Sequence, residues 1–288
     1  MLQVARLAPR LLSDSAELVA DFLRSQLHPD GGFCDRAGES DLYYTVFGLE
    51  GLLALQADLP VSQIAAYLRR FGDGDGLDFI HLTCLARGWA ALPLPLRAEV
   101  PRDAIAARLE THRSADGGYH TEPGTERGTV YGCFMALGGY QDLGLPLPDP
   151  EGVLRCVRSL RAFDGGYANQ EEVPMGLTPS TAAAATLLRH LGEPAEPALA
   201  EWLLARCLPE GGFFATPVAP IPDLLSTATA LHALSGLKAD YEAVREPCLD
   251  FVDSLWTNRG AFYGNWTDDC ADCEYTYYGL LSLGHLSL

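Results

Sequence analysis

The chain has 288 residues, 48% of them apolar and 20% charged, which suits a substantial buried core and excludes extended disorder. Its formal charge of −18 gives no electrostatic footprint for nucleic acid or anionic lipid, and no apolar run approaches the roughly 18 residues of a membrane span. The amino-terminal segment alternates charged and apolar residues without a cleavable apolar leader. The eight cysteines are sparse and mostly lie in apolar stretches, so structural thiols and a cytoplasmic location are expected.

An amphipathic helix is expected over 16–27. It stops at Asp30-Gly31-Gly32-Phe33, and a more apolar helix follows over 43–55. The pattern then returns. Residues 61–71 lead through Gly72-Asp73-Gly74-Asp75-Gly76 to 80–92, and residues 103–112 lead through Asp116-Gly117-Gly118-Tyr119 to 130–138. Residues 152–160 lead through Asp164-Gly165-Gly166-Tyr167 to 181–191, and 197–207 through Glu210-Gly211-Gly212-Phe213 to 225–234. The last copy joins 241–256 through Arg259-Gly260-Ala261-Phe262 to 275–286. A period of roughly 43 to 49 residues makes six helical hairpins. Asp41, Asp78, Asp223 and Asp272 stand just before four of the apolar helices, where a short carboxylate caps free N–H groups.

Helices apolar on most faces are buried on most faces. Six hairpins, each with one outer and one inner helix, therefore predict a single-domain all-α chain over 1–288, an α6/α6 toroid with a central apolar funnel. An open solenoid would end in polar capping units. The final helix here, which contains Tyr275, Tyr277 and Tyr278, is as apolar as the central ones, which favours closure.

These repeats resemble those of protein prenyltransferase β subunits and of the toroidal domains of class II terpene cyclases such as squalene–hopene cyclase. The resemblance runs from about residue 22 to residue 286. It implies an isoprenoid or similarly apolar ligand in the funnel, aromatic rings lining it, and, for the prenyltransferases, a helical partner subunit. It also implies a zinc ion held by an Asp-x-Cys pair opening one inner helix and a His opening the next. Here the aspartate is Asp223, the cysteine position is Leu225 and the histidine position is Tyr275, so this zinc site is expected to be absent. The diphosphate contacts are also replaced. Residues 213–221 hold no cation, and the family's His-x-Gly-x-x-Tyr phrase reads Glu126-Arg127-Gly128-Thr129-Val130-Tyr131. The cyclase Asp-x-Asp-Asp frame keeps Asp223 and puts Leu225 at the acid position.

The densest reactive cluster is Asp268-Asp269-Cys270-Ala271-Asp272-Cys273-Glu274-Tyr275. Crowded carboxylates raise one another's pKa, so Asp272 and Glu274 are candidate acids, with Tyr275 and Asp223 beside them as candidate catalytic groups. Candidate substrate contacts are Tyr43, Tyr44, His81, Arg127 and Tyr131. Tyr44 and Tyr275 occupy equivalent places three residues after a capping aspartate. Cys270 and Cys273 form a C-x-x-C able to hold a metal, and Asp73-Gly74-Asp75 resembles a calcium loop but lacks the ligand spacing. Three readings follow: a prenyltransferase-like enzyme acting on an apolar small molecule, a non-catalytic lipid-binding or scaffold toroid, and an enzyme with a new metal site at Cys270 and Cys273.

Overall fold

The alternation of amphipathic and apolar segments resolves into a closed ring of hairpins in the computed structural model, which describes residues 1–194 and 196–288. Two single turns, α1 (Leu2–Ala5) and α2 (Pro9–Leu12), precede the repeats. The first two hairpins are α3 (Ser15–Ser25) with α4 (Leu42–Ala54) and α5 (Val61–Arg69) with α6 (Phe79–Ala91). After a short turn, α7 (Leu94–Arg97), come α8 (Arg102–Glu110) with α9 (Val130–Leu143) and α10 (Pro150–Ser159) with α11 (Thr178–His190). The ring ends with α12 (Pro197–Leu204) and α13 (Leu224–Gly236), then α14 (Glu242–Ser254) and α15 (Cys273–Leu286).

The even-numbered α4 and α6 and then α9, α11, α13 and α15 form the inner wall, each packed on the next, and α15 packs back on α4. The Gly-Gly turns explain the spacing of the outer wall. Gly31 has φ +100° and Gly211 φ +101°, a region that disfavours any residue with a Cβ. A side chain at Gly31 would strike the carbonyl of Gln63 on the next outer helix, and one at Gly211 would strike that of Pro247. Gly260 seats in the same way against the carbonyl of Leu18, joining the sixth unit to the first. The open solenoid is therefore excluded.

The aromatic residue after each glycine pair is core. Phe33, Tyr119, Tyr167, Phe213 and Phe262 are all buried between the layers, each ring contributing about 1.5–3 kcal/mol. Their backbone N–H groups are locked onto the inner helices. Phe33, Tyr167 and Phe213 donate to the hydroxyls of Thr45, Thr181 and Thr227, each at 2.9 Å. The four aspartates cap α4, α6, α13 and α15 as expected, and Thr129 caps α9.

Three features go beyond the sequence expectation. Helix α9 runs through Gly138 and Gly139 to Leu143 and stops at Gly144, whose φ is +66°. The glycines inside it serve close packing, since a side chain at Gly139 would press on Leu109 and Thr83. The Asp73–Asp75 loop is an anchor, its two carboxylates holding Arg108 at 2.8 and 2.9 Å. Helix α1, unforeseen, packs against α15 and α4 at the far end of the ring, where the Val4 carbonyl meets Gly284. Among the described residues, no helix is long and apolar enough to cross a membrane.

Candidate active site

Because all inner helices start at one rim, side chains from their first turns meet around a common opening. The ring encloses a cavity of about 490 Å³, a size suited to a small-molecule ligand. All six inner helices line it, with Met1 and Leu2 at the far end. Successive lining positions follow the helical repeat, as with Tyr43, Val46, Phe47 and Glu50 on α4. From residue 131 to residue 142 on α9 the lining descends roughly 16 Å at about 1.5 Å per residue.

The upper end carries one carboxyl, Glu274, in an otherwise aromatic and aliphatic surround. Burial pushes its pKa up to about 6, against the opposing effect of the Tyr43 hydroxyl, which donates to Oε1 at 2.6 Å. Burial also raises the pKa values of the two phenols beside it, to about 12 for Tyr131 and well above its ordinary value for Tyr278. All three tyrosines stay neutral at physiological pH, because Tyr43 is raised as well. Phe47 packs edge-on to Tyr43 at 4.9 Å between ring centres and tilted to Tyr278 at 5.5 Å, completing an aromatic collar.

Of the residues singled out from the sequence, the structure brings Glu274, Tyr43 and Tyr131 to the cavity. The others are held elsewhere. Asp272 caps α15 through the Tyr275 N–H and bonds Arg36 Nε at 2.7 Å. Arg36 also grips Asp268, so first and last units are clasped by charge. The guanidinium lies 5.5 Å from the centre of the Tyr275 ring, and Tyr275 and Tyr44 stand outside the lining. Tyr44, expected as a substrate contact, and Tyr275, expected as a catalytic group, thus both stand at the rim. Asp223 is spent on capping, accepting from the N–H and hydroxyl of Ser226, and burial raises its pKa. Arg127 is exposed and pairs with Glu171 at 3.3 Å.

His81 also lies off the cavity. Its Nε2 is 2.9 Å from Asp41 and its Nδ1 2.9 Å from Asp78, so both ring nitrogens face carboxylates and the imidazolium is favoured. The Asp41 contact, followed by Asp78, raises its pKa to about 9. A raised folded pKa gives stability that is complete below the unfolded value of 6.5 and is lost as pH rises through 9. Thermal unfolding of His81→Gln is expected to show a weaker fall in stability between those two pH values than the parent.

The inherited zinc donors do not fit a metal. Leu225 forms part of the apolar wall, Asp223 is engaged with Ser226, and Tyr275 sits beneath Arg36. Nor do the C-x-x-C thiols converge. Cys273 is fully buried with its pKa pushed well up by burial, and Cys270 Sγ contacts the Ala271 carbonyl. Among the described residues, no cluster of three or more His, Cys, Asp or Glu is placed to hold a metal ion.

The lower end holds groups that were not singled out. Arg87 on α6 bonds Glu50 on α4 at 2.7 Å and Asp142 on α9 at 2.6 Å, tying three inner helices together at the cavity floor. Burial works against the Arg87 charge, but the two carboxylates more than offset it and hold the pKa above its usual value. The sequence signal was a lone charge inside each of two apolar helices, Glu50 in α4 and Arg87 in α6, since such residues are rarely buried unless paired.

The whole ring agrees with a family model described as the prenyltransferase alpha-alpha toroid domain, which matches residues 6–85, 95–214 and 206–287. Among solved structures, Candida albicans protein geranylgeranyltransferase-I complexed with GGPP is similar with a TM-score of 0.73 at 15% identity, over 93% of this chain and 90% of that one. The type II terpene cyclase MstE from Scytonema, in complex with geranylgeranyl dihydroxybenzoate, is similar with a TM-score of 0.64 at 16% identity over 97% of each chain. An alpha-1,6-mannanase of Salegentibacter has a TM-score of 0.60 at 13% identity, over 95% of this chain and 98% of its own, so one fold carries unrelated chemistries. No curated protein matches in sequence. The family match spans nearly the full ring, and the chain belongs to the prenyltransferase alpha-alpha toroid family.

Proposed function

We propose that this protein is an enzyme that transfers protons on an isoprenoid or similarly apolar substrate held in the central cavity, with Glu274 as the acid–base group. The observation that carries this reading is the Glu274 carboxyl at the aromatic rim end of the cavity, held by a phenol and raised by burial to a pKa of about 6, away from the ion-paired Glu50 and Asp142 at the floor. A carboxyl titrating near neutrality is protonated often enough to give a proton and basic enough to take one back. The Tyr43 hydroxyl orients it. Positive charge developing on the substrate faces the rings of Tyr43, Phe47, Tyr131 and Tyr278, whose π-faces are negative. Closely packed aromatic walls keep water from intercepting such a species.

An acid of this strength suits an activated acceptor, such as an epoxide oxygen or a polarised double bond, better than an isolated alkene. One proton given and one returned makes the net reaction an isomerisation, in the manner of a cyclase. Prenyl transfer to a thiol is disfavoured by the residues at the zinc and diphosphate positions, which hold no thiolate, imidazole or cluster of cations. The similarity to structures holding a geranylgeranyl group supports the apolar class of ligand, as does the lining.

Native mass spectrometry of the gently purified protein tests the ligand class. The expected spectrum shows one retained apolar molecule of isoprenoid size, lost when Leu225→Trp fills the wall. A retained sugar or other polar ligand in its place would contradict the reading.

A further inference from the structure

The acid–base reading uses the rim end of the cavity and leaves its floor without a role. The floor is strongly polar for the base of an apolar chamber. Arg87 has two edges occupied, Nε by Asp142 and Nη1 by Glu50. Among the described residues, no acceptor meets its Nη2, and that nitrogen is not sealed in the protein, since Arg87 lines the cavity. Gly138 on the neighbouring helix leaves room beside it. A Cβ there would find only Nη2 within contact distance, at 3.6 Å.

We infer that the cavity floor is a binding subsite for one uncharged oxygen, a hydroxyl or carbonyl, at the end of the ligand opposite its reacting end. This rests on the proposed function for the apolar body of the ligand and adds the chemistry of its far terminus. Nη2 offers two N–H groups to whatever lies against it, and a purely hydrocarbon end would leave them unpaired in a dry site. A diphosphate fits poorly for the opposite reason, since it needs several cations.

The floor has no positive charge to spare. Of the groups lining it, Arg87 and the Met1 amine face Glu50 and Asp142, so there is no surplus with the amine or without it. His190 and His232 also line it, and burial lowers the pKa of each, to about 3 for His232, so both imidazoles are neutral. Arg189 lies outside the lining with its guanidinium against Gly236, so it adds long-range positive potential at the Met1 amine, His190 and His232 but no direct donor to the floor. The geometry also sets the ligand's direction. The oxygen-bearing end reaches the floor while the other end meets Glu274, roughly 10 Å higher by the rise from residue 43 to residue 50 on α4.

The test is equilibrium binding of three probes, farnesol, farnesene and farnesyl diphosphate, to the full chain. Farnesol is expected to bind about tenfold or more tighter than farnesene, the range for one paired against one unpaired buried donor, and tighter than the diphosphate. Gly138→Leu puts a side chain beside Nη2 at a helical position that favours leucine, and is expected to erase the advantage of the alcohol. The combined Arg87→Met, Glu50→Gln, Asp142→Asn variant, which removes the cation together with both of its carboxylate partners, should erase it too. Equal binding of alcohol and hydrocarbon, tightest binding of the diphosphate, binding of none of the probes, or an alcohol preference that survives Gly138→Leu would overturn the subsite. Glu274→Gln separates the two proposals. It should keep the alcohol preference, and turnover surviving in it would count against the acid–base reading alone.

Discussion

Glu274→Gln is expected to lose turnover by about 10²- to 10⁴-fold, the usual contribution of a positioned acid or base, with ligand binding retained. The amide preserves the shape and still accepts from Tyr43, so only the transferable proton is gone. The same substitution is expected to stabilise the protein at pH 8. The folded pKa of Glu274 is raised from 4.5 to about 6, so the folded state favours the neutral carboxyl. Its stabilising effect is complete below 4.5 and lost as pH rises through 6, leaving a penalty of about 2 kcal/mol above that window. Denaturation of the variant at pH 8 should therefore show a gain of up to about 2 kcal/mol that vanishes near pH 4. A carrier protein would show the stability change with no turnover in either form. Full activity in the variant would remove Glu274 from the mechanism.

Arg87→Met is expected to destabilise the protein by breaking two ion pairs at once. It leaves Glu50 and Asp142 facing one another at the cavity floor without their shared cation. Breaking a buried ion pair from one side costs about 3–5 kcal/mol, and since Arg87 is 37% exposed to the cavity the lower end of that range, about 3 kcal/mol, is expected. The midpoint of thermal unfolding should fall by roughly 5 °C for a chain of this size. Neutralising both carboxylates in the same chain should recover most of that loss, since the penalty comes from the unpaired charges. The single variant should also gain stability as pH falls, because protonation relieves them. A single variant as stable as the parent would mean that the ion pairs hold nothing together.

The ring could be read from the sequence because its determinants are local. A glycine pair that turns the chain, an aromatic residue that fills the gap, and an aspartate that caps the next helix all act within a few residues of one another. Closure was legible in the apolar final helix, and the structure supplies its devices in Gly260 against Leu18 and Arg36 against Asp268 and Asp272.

The site was only partly legible, because facing depends on rotation about a helix. Each residue turns the chain about 100°, so Tyr43 faces the cavity while its neighbour Tyr44 faces the rim. Asp272 and Glu274 sit in one acidic cluster in sequence. The first is an N-cap bound by Arg36, and the second is one step inside the helix and points into the cavity. Of these two candidate acids only Glu274 is therefore free to act in the cavity, and crowding in the sequence does not distinguish them. The floor was invisible for a different reason. Glu50, Arg87 and Asp142 come from three separate repeats, and only the curvature of the ring brings them together.

The proposed chemistry requires Glu274 to be a near-neutral acid inside a ligand cavity. An isotope-edited infrared titration of its carboxyl, with and without farnesol, measures that directly. The expected midpoint lies near pH 6 and moves higher when the alcohol displaces water from around the group. A midpoint at the ordinary 4.5, unmoved by the ligand, would contradict it.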